Sequence, residues 1–205
     1  MSAKLLLATA NPKKLVELQR ILDQSLGRSR VTLVGLGDFE GYPDVPETGL
    51  TFGENALIKA RAGLAATGIA TLADDSGITV DDLNGMPGVL SARWAGVAKD
   101  SAANNRLLLE QLADTPDDRR GAGFRCAVAF CRPGGAEDVA FGEMRGRIIR
   151  ELRGSGGFGY DVLFVPDGET RTTAEMPADE KDRISHRGKS IRAIAPIVKA
   201  ALAGE

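Results

Sequence analysis

The chain has 205 residues, of which 43% are hydrophobic and 26% are charged, and its formal net charge is −2 at pH 7. This composition is ordinary for a globular protein, and the length is sufficient for one domain with a substantial core. The slightly acidic balance argues against a general nucleic-acid coat and against a protein that binds anionic membranes. No apolar run reaches the length of a transmembrane helix and the start has no signal-peptide pattern, so we expect a cytoplasmic protein.

The few cysteine and histidine residues limit the redox and metal chemistry of the chain. Cys126 and Cys131 lie at an odd separation on one predicted strand, so they should point to opposite faces and not form a disulfide. The single histidine, His186, excludes a His-rich zinc site.

The N-terminal residues predict a strand followed by a helix with an unusual first turn. Residues 4–8 predict a short buried strand, and Asn11 with Pro12 is typical of a helix start, because Asn caps and Pro tolerates the first helical position. Lys13 and Lys14 then fall in the first turn, where the helix dipole disfavours cations. They are either solvated surface lysines or ligands of an anion that docks at the backbone N–H groups of the helix start.

A second predicted strand, residues 31–36, is followed by a loop and a helix. Thr51 and Glu54 have the spacing of a capping box, which gives Glu54 a structural role. Glu47, in the preceding loop, has no such role and is a candidate to reach a metal ion from the side. Lys59, within the helix, faces either solvent or the candidate metal site.

The stretch around Asp74 and Asp75 is the central candidate for chemistry. Residues 69–73 predict a buried strand that ends in the sequence Asp74-Asp75-Ser76-Gly77. Two adjacent carboxylates at such a place are costly to bury unless a cation holds them. Mg²⁺ takes one or two carboxylates and shares its other positions with water and phosphate, so it would meet that need. The alternative is a solvated turn.

A helix that begins at Asp100 or Ser101 and a long hairpin over residues 124–149 lead to a glycine-rich segment, residues 154–161. The glycines of this segment allow a backbone to approach a ligand closely, and its two aromatic residues offer faces on which a base can stack. A flexible loop is the alternative. A strand is predicted directly after it, over residues 162–165.

Positive charge concentrates at the start of the closing helix, for which Ser185 is the predicted N-cap. His186 and Arg187 follow directly, which places hydrogen-bond donors at a helix start, as in a site for an anion or a carbonyl group. A solvated helix face is the alternative. The cationic or titratable residues of this region are Lys181, Arg183, His186, Arg187, Lys189 and Arg192.

Taken together, these segments resemble the Ham1/ITPase family, whose members are inosine/xanthosine triphosphate pyrophosphatases. The resemblance covers essentially the whole chain, and five motifs in the same order make it specific where each alone is weak. One departure is Val162, which stands where the family pattern has Pro. This difference should affect how the following strand begins rather than the chemistry of the site. The matching segments are Thr9–Lys14, Glu47–Ala56, Ala73–Arg93, Gly157–Asp161 and Ser185–Gly188.

The resemblance implies an elongated α/β fold with a long mixed central β-sheet flanked by helices, in which one domain, residues 1–205, has two lobes around a nucleotide cleft. It implies Mg²⁺-dependent hydrolysis of ITP, dITP and XTP to the monophosphate and pyrophosphate, usually by a homodimer. Asp75 would be the proton acceptor and a metal ligand, Glu47 a second metal ligand, and Ser76 a contact of the nucleotide. The triphosphate would be bound by Thr9, Ala10, Asn11, Pro12, Lys13 and Lys14. The base and sugar would be surrounded by Phe158, Gly159, Tyr160, Asp161, Lys181, His186 and Arg187.

The chemistry of these residues agrees with that activity. Hydrolysis of a triphosphate needs its charge neutralised, a water held in line with phosphorus and a base for the proton, and a metal ion with Lys13, Lys14 and Asp75 would supply them. Two other interpretations remain open: a Maf-type pyrophosphatase with other nucleotide preferences, and a nucleotide-binding sensor without turnover. The Asp74-Asp75 pair argues against the sensor, because binding alone needs no positioned base.

Overall fold

The structure is a computed structural model that describes residues 3–9, 11–26, 31–39, 42, 45–96 and 99–203. Strands and helices largely alternate along the described chain. The strands are β1 (Ala3–Leu7), β2 (Val31–Gly35), β3 (Thr71–Val80), β4 (Gly121–Cys131), β5 (Glu137–Ile148) and β6 (Phe164–Pro166). The α-helices are α1 (Pro12–Leu26), α2 (Phe52–Thr67), α3 (Ser101–Gln111), α4 (Ala178–Ile184) and α5 (His186–Ala203).

The strands form one mixed sheet in the order β2-β1-β3-β4-β5-β6. Strand β1 pairs in parallel with both β2 and β3, as strands joined through helices do, whereas β5 and β6 pair antiparallel. The α/β class and the mixed sheet predicted from the sequence are therefore confirmed. Among the described residues no helix is long and apolar enough to cross a membrane.

The chain divides into two compact units, of which unit 1 comprises Met1–Asp75, Cys126–Gly142 and Arg187–Glu205. Its strands are covered on both faces because their side chains alternate between two apolar clusters. One cluster joins the strands to α1 and α5 and contains Leu72 and Cys126, and the other joins them to α2 and contains Ala73 and Cys131. The two cysteines thus lie on opposite faces as predicted, and neither is in a disulfide.

Unit 2 comprises Ser76–Arg125 and Glu143–His186 and has its own apolar cluster around β3, α3 and β6. Arg120 is buried in this unit, and no carboxylate of the described residues forms an ion pair with it. Its guanidinium instead donates to the carbonyl oxygens of Leu112 at 2.6 Å, Ile148 at 2.8 Å and Ile149 at 3.4 Å. These bonds join the end of α3 to the end of β5.

The predicted helix starts are confirmed in detail. The N–H of Lys13 donates to Asn11 Oδ1 at 3.0 Å, which caps α1. Thr51 and Glu54 form the predicted capping box of α2, with Glu54 N donating to Thr51 Oγ1 at 3.2 Å and Thr51 N donating to Glu54 Oε2 at 3.1 Å. Asp100, rather than Ser101, caps α3.

Other predicted boundaries were wrong. Strand β3 does not end at Asp74 but continues to Val80, so both aspartates lie inside a ten-residue strand. The strand predicted over residues 162–165 begins at Phe164, because Val162 closes a short 3₁₀ turn that starts at Gly159. The predicted end of α1 at Gly27 lies outside the described residues.

Candidate active site

The two adjacent aspartates have different surroundings because neighbouring residues of a strand point to opposite faces of a sheet. Asp74 lies on the same face as Leu72, towards α1 and α5, and Asp75 lies on the same face as Ala73, towards α2. The carboxylate pair that the sequence presents as one motif is therefore divided between two sets of partners.

Asp74 is almost fully buried and is held by two cations of unit 1. Lys14 Nζ lies 2.9 Å from Asp74 Oδ2, and Arg187 Nε lies 3.4 Å from the same oxygen. Arg187 also donates to Glu17 Oε2 at 2.7 Å, so four charges of α1, β3 and α5 compensate one another. Burial alone would raise the pKa of Asp74, but the charges of Lys14, Arg187 and Lys59 outweigh it and hold this pKa well below its usual range.

Asp75 is bound by two side chains of α2. Lys59 Nζ donates to Asp75 Oδ1 at 2.9 Å, and Asn55 Nδ2 donates to Asp75 Oδ2 at 3.3 Å. Lys59 also contacts Glu47 Oε1 at 2.7 Å, so its ammonium lies between two carboxylates. Burial raises the pKa of Asp75, Glu47 raises it further, and the opposing effect of Lys59 is not sufficient to restore its usual value.

The loop between β1 and α1 carries the predicted triphosphate ligands. Asn11 N donates to Thr9 Oγ1 at 3.2 Å, and Pro12 begins the helix. The side chain of Lys13 is exposed, whereas Lys14 is turned towards Asp74. Ala10, also predicted here, lies outside the described residues.

In unit 2, Asp161 organises the predicted base-binding segment. Its carboxylate accepts hydrogen bonds from Phe158 N at 2.8 Å, Thr173 Oγ1 at 2.8 Å and Lys181 Nζ at 2.6 Å. Lys181 Nζ also lies 5.6 Å from the centre of the Phe158 ring, within the range of a cation–π contact. Gly157 has a φ of +69° and approaches the Asp161 carboxylate so closely that a Cβ would collide with it.

The other two rings predicted near the base, Tyr160 and His186, are buried. Tyr160 donates its hydroxyl to the carbonyl oxygen of Ser91 at 2.9 Å and is 5% exposed, and burial raises the pKa of its phenol. This burial gives Tyr160 a packing role and leaves Phe158, which is half-buried, as the stacking face. The ring of His186 stacks on that of Phe124 with the ring centres 4.9 Å apart.

The structure separates the predicted site residues into two sets. Unit 1 holds Thr9, Asn11 to Lys14, Glu47, Asp75 and Arg187, and unit 2 holds Ser76, Phe158 to Asp161, Lys181 and His186. Ser76 is half-buried and follows Asp75 in β3. Arg187, predicted beside the base, donates from its guanidinium to Glu17 Oε2 and Asp74 Oδ2.

Four contact residues were missed or left undecided by sequence reasoning. Asn55 and Lys59 are four residues apart on α2, so helical spacing would have placed them on one face. Glu17 lies one turn after Lys14 on α1 and shares the Asp74 network through Arg187. Asn105 carries no such signal, since its Nδ2 bond of 3.1 Å to the Gly159 carbonyl oxygen joins segments far apart in sequence.

The residues around Asp75 are suitable for a hard divalent ion. No group of three or more His, Cys, Asp or Glu side chains is placed for metal binding in the described part of the chain. Asp75 and Glu47, however, both contact one ammonium group, so their carboxylates converge on a single cation. Two carboxylates, completed by water and phosphate oxygens, are a usual ligand set for Mg²⁺.

Comparisons with known proteins agree over nearly the whole chain. The profile of the Ham1 family matches residues 5–197. A dITP/XTP pyrophosphatase of Nocardia farcinica is 57% identical over 198 residues, which cover 97% of this chain and 96% of the relative. A crystal structure of a nucleoside-triphosphatase, or dITP/XTP pyrophosphatase, of Mycobacterium abscessus has 55% identity and a TM-score of 0.76, with 95% and 99% of the two chains covered. A HAM1 protein of Coxiella burnetii has 38% identity and a TM-score of 0.86, with 97% and 99% covered.

Proposed function

Because this chain belongs to the Ham1 family, we propose that it hydrolyses the non-standard purine nucleoside triphosphates dITP, XTP and ITP to the monophosphate and pyrophosphate. One observation carries this proposal: over nearly its full length, the chain is more than half identical in sequence to proteins named dITP/XTP pyrophosphatase. The Maf-type interpretation left open by the sequence is not retained, because the family match is to Ham1.

The triphosphate binds at the start of α1. Lys13 is exposed in the first turn, where the backbone N–H groups also attract an anion. Lys14 contacts Asp74, which sets the position of its ammonium next to this turn. These cations neutralise the charge of the phosphate oxygens and orient the triphosphate for attack by water.

Asp75 is the proton acceptor for the attacking water. Asn55 and Lys59 contact different oxygens of its carboxylate and so fix its orientation. A carboxylate held in this way can accept a proton from the attacking water. Asp75 and Glu47 would hold Mg²⁺, and when bound the ion neutralises charge that develops on the phosphate oxygens.

The base is recognised by unit 2. Phe158 offers a half-buried ring for stacking, Lys181 offers a donor near this ring, and we propose His186 as a second donor to the base. A keto purine has an acceptor at the 6 position where adenine has a donor, so these donors favour hypoxanthine and xanthine over adenine. Asp161 keeps Lys181 and the Phe158 backbone in place.

We further propose a cytoplasmic homodimer that uses no nucleic acid or membrane partner. The cytoplasm contains the nucleoside triphosphates used for nucleic-acid synthesis. Both cysteines of the chain are free thiols, which fits a reducing compartment. Light scattering coupled to size-exclusion chromatography tests the dimer, since a monomer mass at micromolar concentration would contradict it.

The activity is tested by measuring pyrophosphate release from dITP, XTP, ITP, GTP and ATP with Mg²⁺ and with EDTA. We expect fast release of pyrophosphate from the first three nucleotides, slow release from ATP, and loss of activity in EDTA. Release of orthophosphate, equal turnover of ATP, or binding of dITP without turnover would each refute the proposed function. The last outcome would support the nucleotide sensor.

A further inference from the structure

Lys59 lies where the proposed metal ligands converge. Its Nζ is 2.7 Å from Glu47 Oε1 and 2.9 Å from Asp75 Oδ1, and its side chain is 15% exposed. An ammonium and a divalent ion both need these carboxylate oxygens and repel each other at short range. Lys59 therefore cannot keep both contacts while an ion is bound by the same two oxygens.

We propose that Lys59 competes with the divalent ion for Glu47 and Asp75 and is released to phosphate oxygens when the nucleotide binds. This inference rests on the proposed function. The consequence of this competition is that metal and nucleotide bind cooperatively. The triphosphate offers Lys59 new acceptors, and when the Lys59 ammonium leaves Glu47 and Asp75, their carboxylates become available to the ion. By linkage, the nucleotide raises metal affinity by the same factor as the metal raises nucleotide affinity.

The surroundings of Lys59 suit such an exchange. Asn55 donates to the other oxygen of Asp75, Oδ2, at 3.3 Å, so the carboxylate keeps its orientation when Lys59 leaves Oδ1. Asn55 and Lys59 are one helical turn apart on α2, whose start is fixed by the Thr51–Glu54 capping box. Lysine has a long stem with rotatable donors, so its ammonium can change acceptors without movement of the helix.

The test measures binding of Mn²⁺, which serves as a paramagnetic probe of the Mg²⁺ site, by electron paramagnetic resonance without nucleotide. We compare the wild type with Lys59→Gln and Lys59→Met, and use Arg61→Gln as the matched control. Arg61 lies on the same helix and its ion pair of 2.6 Å with Glu137 uses neither proposed metal ligand, so the control removes the same charge from another place. Asp75→Asn identifies the site, since it should abolish the binding.

We expect both Lys59 variants to bind Mn²⁺ at least about tenfold more tightly than the wild type, because a cation a few ångströms from the ion is removed. The control should change this affinity less than about twofold. A non-hydrolysable dITP analogue should then raise Mn²⁺ affinity more in the wild type than in the Lys59 variants. Unchanged or weaker Mn²⁺ binding in both Lys59 variants, or binding that survives Asp75→Asn, would overturn the inference.

The outcome is separable from that of the proposed function. Pyrophosphate release by the wild type tests the activity alone, whereas metal affinity without nucleotide tests Lys59 alone. An active wild type with unchanged metal affinity in both Lys59 variants would reject the competition and keep the pyrophosphatase. A structural role for Lys59 would instead lower the melting temperature and weaken Mn²⁺ binding together.

Discussion

Replacing the two adjacent aspartates by asparagine, one at a time, should affect the stability of the protein in different ways. Asp74→Asn removes a buried carboxylate that lies 2.9 Å from Lys14 Nζ and 3.4 Å from Arg187 Nε. At an effective dielectric constant of about 20, the shorter contact alone corresponds to about 6 kcal/mol of attraction. Desolvation offsets part of this, and breaking a buried pair typically lowers the free energy of unfolding by about 3–5 kcal/mol.

Asp75→Asn should not destabilise the protein at pH 7. The pKa of Asp75 is raised, which means that its ionised form is less favourable in the folded than in the unfolded chain. The amide removes this unfavourable charge. Lys59 loses the attraction of Asp75 that helps to raise its own pKa, but it keeps its contact with Glu47. We expect a free energy of unfolding equal to that of the wild type or higher by about 0.5–2 kcal/mol, as for other stabilising substitutions at active sites.

The two effects also differ in their dependence on pH. Asp74 has a lowered pKa, so its stabilising contribution is complete above the unfolded pKa of about 3.9 and is lost as the pH falls through the folded value. Asp75 has a raised pKa, so its contribution is present below about pH 3.9 and is lost as the pH rises through the folded value. The free energy of unfolding of Asp74→Asn should thus approach that of the wild type as the pH falls. Any gain in this free energy in Asp75→Asn should disappear at the same low pH.

Urea denaturation in EDTA, repeated from pH 7 down to the lowest pH at which the proteins stay folded, measures both free energies without metal. EDTA is needed because a bound ion would itself stabilise the carboxylate of Asp75. Equal transition midpoints for the two variants, or a lower midpoint for Asp75→Asn than for Asp74→Asn, would refute the assignment of opposite surroundings.

Four further predictions concern activity and packing. Asp75→Asn should lower kcat for dITP by a factor of about 10² or more while the circular dichroism spectrum is unchanged, and a residual rate above about a tenth would contradict its role as base. Lys13→Ala and Lys14→Ala should each weaken triphosphate binding by about 1–3 kcal/mol. Only Lys14→Ala should also lower the melting temperature, because it breaks a buried ion pair. An unchanged KM in both variants would show that neither lysine contacts the triphosphate. His186→Ala should reduce kcat/KM for ITP more than for ATP, and equal reductions would show that it does not read the base. Arg120→Met should lower the free energy of unfolding by about 1–3 kcal/mol, because the carbonyl oxygens of Leu112, Ile148 and Ile149 each lose a hydrogen bond, and a change below about 0.5 kcal/mol in urea would contradict that role.

The sequence alone determined the local structure and the chemical type of the site. Helix starts at Asn11 and Thr51 and the long hairpin of β4 and β5 follow from side chains and turns within a few residues, so they could be predicted. The adjacent acids of β3 also indicated a cation site, because buried carboxylates need compensation wherever they lie. The order of five motifs was sufficient to predict the family.

Only the tertiary structure decided how Asp74 and Asp75 are used. The compensating cations come from α1, α2 and α5, and Arg187 is more than a hundred residues from Asp74. Without knowledge of those partners, two charged residues after an apolar run predict the end of a strand, and the structure instead continues β3 through them. Once the strand is continuous, alternation of its side chains separates the two carboxylates, and the nearest cations then lower the pKa of one while burial raises the pKa of the other.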